Sequence, residues 1–138
     1  MYNRIMVPVD LGHTPGLEKA LATAANLAKT FNCPVCYVGV TTETPSSEAH
    51  NPAEFASKLD SFAKDQAAKY GHEAMAKSYV GHDVSIELNQ LILKAAVELG
   101  ADLIIMASHV PTFLEHIWPA SHGGNIASHA SASVFVVR

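Results

Sequence analysis

The residues able to do chemistry gather in a few places along the chain. Asp10 closes the apolar run Arg4-Ile-Met-Val-Pro-Val-Asp10 and is the one carboxylate at a strand end near a candidate site. A second apolar run, Asp102-Leu-Ile-Ile-Met-Ala-Ser108, leads into His109, and Ser121-His122-Gly123-Gly124 follows further on. A lone aspartate at a strand end is more often a ligand for a hydroxyl, a ribose among them, than a base. Ser121 suits an N-cap and an anion ligand. Gly123 and Gly124 would stand in the first turn of the next helix, where glycine costs up to about 1 kcal/mol of propensity. Close approach of an anion to their N–H groups would account for that cost, and a merely poor short helix would account for it equally. No nucleophile paired with a base emerges from the sequence.

Four of the eight histidines fall in one region, at His109, His116, His122 and His129. Imidazole suits zinc or nickel, yet these spacings match no ligand motif, and only Glu115 accompanies them. No metal site is therefore expected. His109 and His122 are expected to line a loop pocket, where they would titrate near neutral pH. His129 falls near a helix end. The two cysteines form Cys33-Pro-Val-Cys36. Redox use of that spacing needs a helix N-terminus to lower a thiol pKa. Here the pair opens a strand and points to opposite faces, so two reduced, buried thiols are expected.

The elements that must position these groups alternate regularly. Leu103, Ile104, Ile105 and Met106 run without polar interruption, as in a strand covered on both faces. The first strand, Arg4 to Asp10, ends where Pro8 removes a ladder donor. Leu11-Gly12-His13 reads as a connection. Thr14 then reads as an N-cap, with Pro15 at N1, for a helix ending near Phe31. Its apolar stripe is Leu17, Leu21, Ala24, Ala28 and Phe31. A strand from Val35 to Thr41 and a polar loop to His50 follow. Asn51-Pro52-Ala53-Glu54 then caps a helix from Pro52 to about Tyr70, with Gly71 beyond its end and Phe55, Leu59, Phe62 and Ala63 facing inward. Ala74 to Val80 is mixed in character, as suits an edge. Asp83 or Ser85 would cap a third helix with Leu88, Leu91, Ile92, Ala95, Ala96 and Leu99 on its core face. After a long loop and a short helix, Ser133 to Arg138 closes the chain as a strand. The alternation β-α-β-α-β-α-β-α-β demands a parallel α/β sheet with helices on both faces.

The bulk composition excludes several classes. The 138 residues suit one domain, 1–138, and 49% hydrophobic content can fill a core. There are 9 basic and 13 acidic residues, a net charge of -4. No Lys/Arg cluster offers a nucleic-acid footprint, and no apolar run is long enough to span a bilayer. The chain opens directly into a strand, with no secretory pattern, so a cytoplasmic location is expected.

Three segments together resemble the universal stress protein family: Ile5-Met-Val-Pro-Val-Asp10, Asp102-Leu-Ile-Ile-Met-Ala-Ser-His109, and Ile126-Ala-Ser-His-Ala-Ser-Ala-Ser-Val-Phe-Val-Val-Arg138. The resemblance extends over the whole chain in length and element order. It implies an open, Rossmann-like five-stranded parallel sheet ordered 3-2-1-4-5, whose order reverses between the first and fourth strands. Ligands of such sheets bind at that reversal, outside the carboxyl ends of the strands. Many family members bind ATP there. Their phosphate motif is Gly, two residues, Gly, about nine residues, then Gly-Ser or Gly-Thr. This chain departs from it: Ala107, Val110 and Ala120 stand at the glycine positions, and the loop between is about one residue longer and bulkier.

The resemblance and the strand-end argument together nominate Pro8, Val9, Asp10, Val40, Met106, Ala107, Ser108, His109, Ser121, His122, Gly123 and Gly124 as the binding set. ATP or AMP is the expected ligand, with Mg only if ATP is held. Asp10 would take a hydrogen bond from ribose or base, the backbone near Val40 would meet adenine, and Ser121 with Gly123 and Gly124 would receive phosphate. Phe113 and Trp118 are expected to form a lid. Three functions follow from this set: a stress-response regulator that binds an adenine nucleotide weakly, a relative that acts through protein contacts alone, or a weak ATPase. The lost glycines favour the second over the third. An apolar final strand, Val134 to Val137, at a sheet edge points to a homodimer. A further protein partner is expected but not specified.

Overall fold

The longest helix shows how local signals set the elements. In the computed structural model, which describes residues 1–108, 126 and 130–138 and only the backbone of 84–86, α2 spans Pro52–Tyr70. Asn51 Oδ1 accepts from Glu54 N at 2.8 Å, and Gly71 ends the helix at φ 70°. Glu54 in turn accepts from the N–H of His50 at 3.1 Å, one residue earlier than in a strict capping box. The remaining elements are β1 (Ile5–Pro8), α1 (Glu18–Phe31), β2 (Val35–Thr41), β3 (Ala74–Val80), α3 (Val84–Leu99), β4 (Leu103–Ala107) and β5 (Ser133–Val137). Ile126 is helical, and Ala130 N bonds back to its carbonyl at 2.8 Å. The rest of the expected fourth helix lies outside the described residues.

The five strands form one parallel sheet in the order β3-β2-β1-β4-β5. Val35 pairs with Ile5 on one side and Ala74 on the other, while Ile5 also pairs with Leu103. The chain thus builds outward from β1 to β3, then returns to the far side of β1 for β4 and β5. Alternate side chains of the central strands feed two separate cores. Ile5, Val7, Val35, Tyr37, Leu103 and Ile105 pack against α1 and α2. Met6, Cys36, Val38, Ile104 and Met106 pack against α3 and Ile126. Cys33 and Cys36 fall in different cores, both free and buried, and burial pushes the Cys36 thiol up to about 11.

One boundary departs from the sequence reading. The long helix does not start at Thr14. A 3-10 helix spans Leu11–Leu17, and its cap is Asp10, whose side chain accepts from Gly12 N. His13 breaks the helical dihedrals within it, and α1 begins only at Glu18. An Asp two residues beyond Pro8 offers its carboxylate to the first available N–H, which starts the turn three residues before Thr14.

Candidate functional site

A cavity of about 170 Å³ opens at the carboxyl ends of β1, β2 and β4, where the strand order reverses. Its floor is apolar and buried: Val38 from β2, Met106 from β4, Leu88 and Ile92 from α3, Phe55 from α2 and Leu17. These residues come from both cores, so the cavity sits where the two faces of the sheet meet at its upper edge. Gly39 makes the Phe55 wall attainable. A Cβ on Gly39 would lie 2.8 Å from the tip of the Phe55 ring, closer than packed atoms approach. A glycine inside a strand marks such close approach of a neighbour.

The rim is polar. It carries Asp10 and Leu11 at the start of the 3-10 helix, Thr41 at the end of β2, and Thr42, Ser46 and Glu48 from the β2–α2 connection. Asp10 accepts from Gly12 N at 3.0 Å through one oxygen and meets His13 Nδ1 at 2.9 Å through the other. The 42–50 loop is tied down by its own side chains. Ser46 Oγ accepts from the N–H groups of Glu48 and Ala49 at 3.3 Å each. Ala49 is buried in the first core. Lys58 Nζ donates to the Glu48 carbonyl. The Ser47 hydroxyl donates to Glu48 Oε1 at 2.5 Å. That bond, assisted by Ser46 and by nearby His13 against a contrary pull from burial, holds the Glu48 carboxyl below the usual carboxylate range. Two carboxylates therefore meet at the rim. A point one Cβ out from Gly12 lies 2.6 Å from Glu48 Oε1 and 3.4 Å from Asp10 Oδ1. No lysine or arginine lines the cavity among the described residues.

Of the residues nominated from sequence, the cavity brings together Pro8, Val9, Asp10, Val40, Met106 and Ala107. Ser108 does not line it. Its N–H continues the ladder to Val137 O at 2.8 Å, and its hydroxyl is buried without a partner among the described residues. His109, Ser121, His122, Gly123 and Gly124 lie outside the described residues, as do Val110, Ala120, His116, His129, Phe113 and Trp118. Leu17, Phe55, Leu88 and Ile92 were read as helix core stripes rather than as cavity wall. Glu48 and Ser46 were read only as loop. The signals that could have found them are Gly39 inside an apolar strand, for Phe55, and the Ser46-Ser47-Glu48 cluster, which bonds its own backbone, for the rim. Among the described residues, no group of three or more His, Cys, Asp and Glu is placed to hold a metal ion.

The model of the universal stress protein family matches residues 1–138. The chain belongs to that family. No curated protein sequence matches it. Several solved universal stress proteins share its fold across nearly their whole length. One from Lactobacillus plantarum is 20% identical, with a TM-score of 0.70, covering 99% of this chain and 98% of that one. One from Archaeoglobus fulgidus in complex with dAMP is 22% identical at a TM-score of 0.68, with coverages of 99% and 98%. A third, in complex with cAMP, is 18% identical at 0.68, with coverages of 99% and 97%. At these identities the likeness shows the fold. Among the described residues no helix is long and apolar enough to cross a membrane.

Proposed function

We propose that this universal stress protein binds an adenine nucleotide or nucleoside in the β1–β4 cavity, weakly, and acts in the stress response through a dimer and its protein contacts. The cavity itself carries the reading. An apolar slot bounded by Val38, Val40, Phe55, Ile92 and Met106 suits a flat base, and Asp10 at its lip suits a sugar hydroxyl. Its place at the strand-order reversal is where open α/β sheets hold ligands. Relatives of the same fold hold cAMP, dAMP and, in a protein from Arabidopsis thaliana, AMP.

Binding is weak because Ala107, at the cavity, stands where the family's nucleotide binders have their first glycine. Its methyl takes space the phosphate backbone contact needs. No cation among the described lining residues compensates. The donor set at the rim is carboxylate and hydroxyl, so any Mg would arrive with the phosphates of ATP. Losing one backbone donor to a charged group costs about 1.5–3 kcal/mol, or about ten- to a hundredfold in affinity. Calorimetry with ATP, AMP and adenosine tests the reading. Adenosine and AMP should bind and ATP should bind no better than AMP. Absence of heat and of thermal shift with all three, at about millimolar ligand, would leave the protein-contact function in its place.

The dimer forms through β5. Phe135 and Val136 are 45% and 40% exposed on a strand that, among the described residues, is paired on one side only, by β4. Two such edges related by a two-fold axis bury each other. Light scattering at about tens of micromolar protein, where a standard-sized interface is populated, should give twice the 14.7 kDa chain mass, and Phe135→Glu should give the monomer. Two free, buried thiols suit the reducing cytoplasm, where we place the protein.

A further inference from the structure

We infer that Glu48, from the β2–α2 loop, is a specificity-determining residue that pairs with Asp10 to select ligands carrying a free vicinal diol, as on an unsubstituted ribose. The inference rests on the reading of the cavity as a nucleoside site and names what that site prefers.

Glu48 is built into position rather than left on a loose loop. Ser46 and Lys58 hold its backbone, Ser47 fixes one carboxylate oxygen, and Ala49 anchors the next residue in the core. Gly12 is the spacer. Glu48 Oε1 lies 2.6 Å from where a Cβ on that residue would stand, so a side chain there would displace the carboxylate from its present place. Glu48 Oε1 and Asp10 Oδ1 both come within 3.4 Å of that Cβ position, and both residues line the cavity. Both groups are acceptors only when ionised, and each oxygen can take two hydrogen bonds. Asp10 has one bond to each oxygen. Oε1 of Glu48 accepts from Ser47, and Ser46 also hydrogen-bonds that carboxylate. The unused lone pairs call for two neighbouring donors. A vicinal diol supplies two O–H groups at fixed spacing. A phosphate or a cyclic phosphodiester at those positions supplies none and adds like charge. His13 bonds Asp10 at this pair, while Lys58 is turned to a backbone carbonyl and to Glu54.

The test uses the full chain and uncharged probes, so that the phosphate question does not intrude. Adenosine, 2′-deoxyadenosine and 3′-deoxyadenosine are titrated by calorimetry into the wild type and into Glu48→Gln. A hydrogen bond to a charged acceptor corresponds to about ten- to a hundredfold in affinity. The wild type should lose that factor with at least one deoxy analogue. In Glu48→Gln, which keeps the shape and removes the charge, the loss for that analogue should shrink to about threefold or less while adenosine itself weakens. Equal affinity of wild type for all three probes would overturn the diol preference while leaving the nucleoside site standing. Failure of adenosine to bind would overturn both. A deoxy penalty that is unchanged in Glu48→Gln would remove Glu48 from the role. The wild-type series requires no variant to fold, and Ser47→Ala, which frees the carboxylate from its hydroxyl, should blunt the same penalty.

Discussion

The floor and the rim of the cavity are held by different forces. The floor is assembled from regular elements: Val38 and Met106 on paired strands, Leu88 and Ile92 on one face of α3, Phe55 on α2. Its residues are buried hydrophobics whose positions follow from close packing on either side of the sheet. The rim has no regular structure beyond a kinked 3-10 turn. Asp10, Ser46 and Glu48 are held by short-range hydrogen bonds to neighbouring N–H and O–H groups. The difference separates stability from selectivity. Changing the floor disturbs the core first and the ligand second. Changing the rim alters charge and donors at the mouth and leaves both cores packed.

The largest effect should come from the floor. Ile92 is 1% exposed, and Ile92→Ala removes methyl groups from the second core. It should lower unfolding free energy by about 2–5 kcal/mol, read from the urea midpoint at unchanged slope. A loss below about 1 kcal/mol would mean the floor collapses onto the vacated space and is less tightly packed than the contacts imply.

Asp10 divides its two duties on substitution. Asp10→Ala removes the cap of the 3-10 helix and should cost about 0.5–2 kcal/mol. Asp10→Asn keeps an equally good cap and should retain most of that stability, yet still weaken adenosine binding by about tenfold or more, since it removes the charge that strengthens the hydroxyl bond. Equal loss of binding and of stability in both variants would merge rim and floor into one unit.

The smallest effect is the pH response of the rim. The folded Glu48 carboxyl titrates below its ordinary value of 4.5. The unfolded chain therefore binds more protons in that window, and stability from this group is present above about pH 4.5 and fades as pH falls through the lower folded value. None of the floor side chains Leu17, Val38, Phe55, Leu88, Ile92 and Met106 titrates. The hydrogen-exchange protection factors at Glu48 and Ala49, whose N–H groups both bond Ser46, should fall on acidification before that of Val9, whose N–H bonds Val38 O across the sheet. Glu48→Gln should flatten the rim's response and leave the sheet's unchanged.

The apolar runs made the sheet legible. Ala74 to Val80, with Lys77 and Tyr79 among its residues, read as an edge strand and is one. Val35 to Thr41 was read to its observed bounds because Pro34 and the polar loop delimit it. The Asn51 cap and Gly71 bracket α2 where the sequence placed them, since both act through bonds to residues a few positions away. Thr14 does not begin the long helix because the turn opens earlier, where Asp10 accepts from Gly12 N, and α1 follows only from Glu18. The strand-end residues Pro8, Val9, Asp10, Val40, Met106 and Ala107 were legible as cavity lining because topology alone puts strand ends together.

Local rules act over a turn of helix or one strand pair, and the sequence by itself determined what they govern. Among the described residues it settled which segments are strands and helices, the buried stripes of the first three helices and, through its family resemblance, the order 3-2-1-4-5. Only the tertiary structure decided that Leu17, Phe55, Leu88 and Ile92, one or two residues from each helix stripe, wall the cavity as well as filling the cores. Only it brought Glu48 against Gly12, across 36 residues, to set a second carboxylate beside Asp10. The apolar period of a helix marks its buried face but not how far along that face the sheet extends. The conformation of a loop is set by what it packs on, here Ala49 in the first core, and no periodicity encodes that.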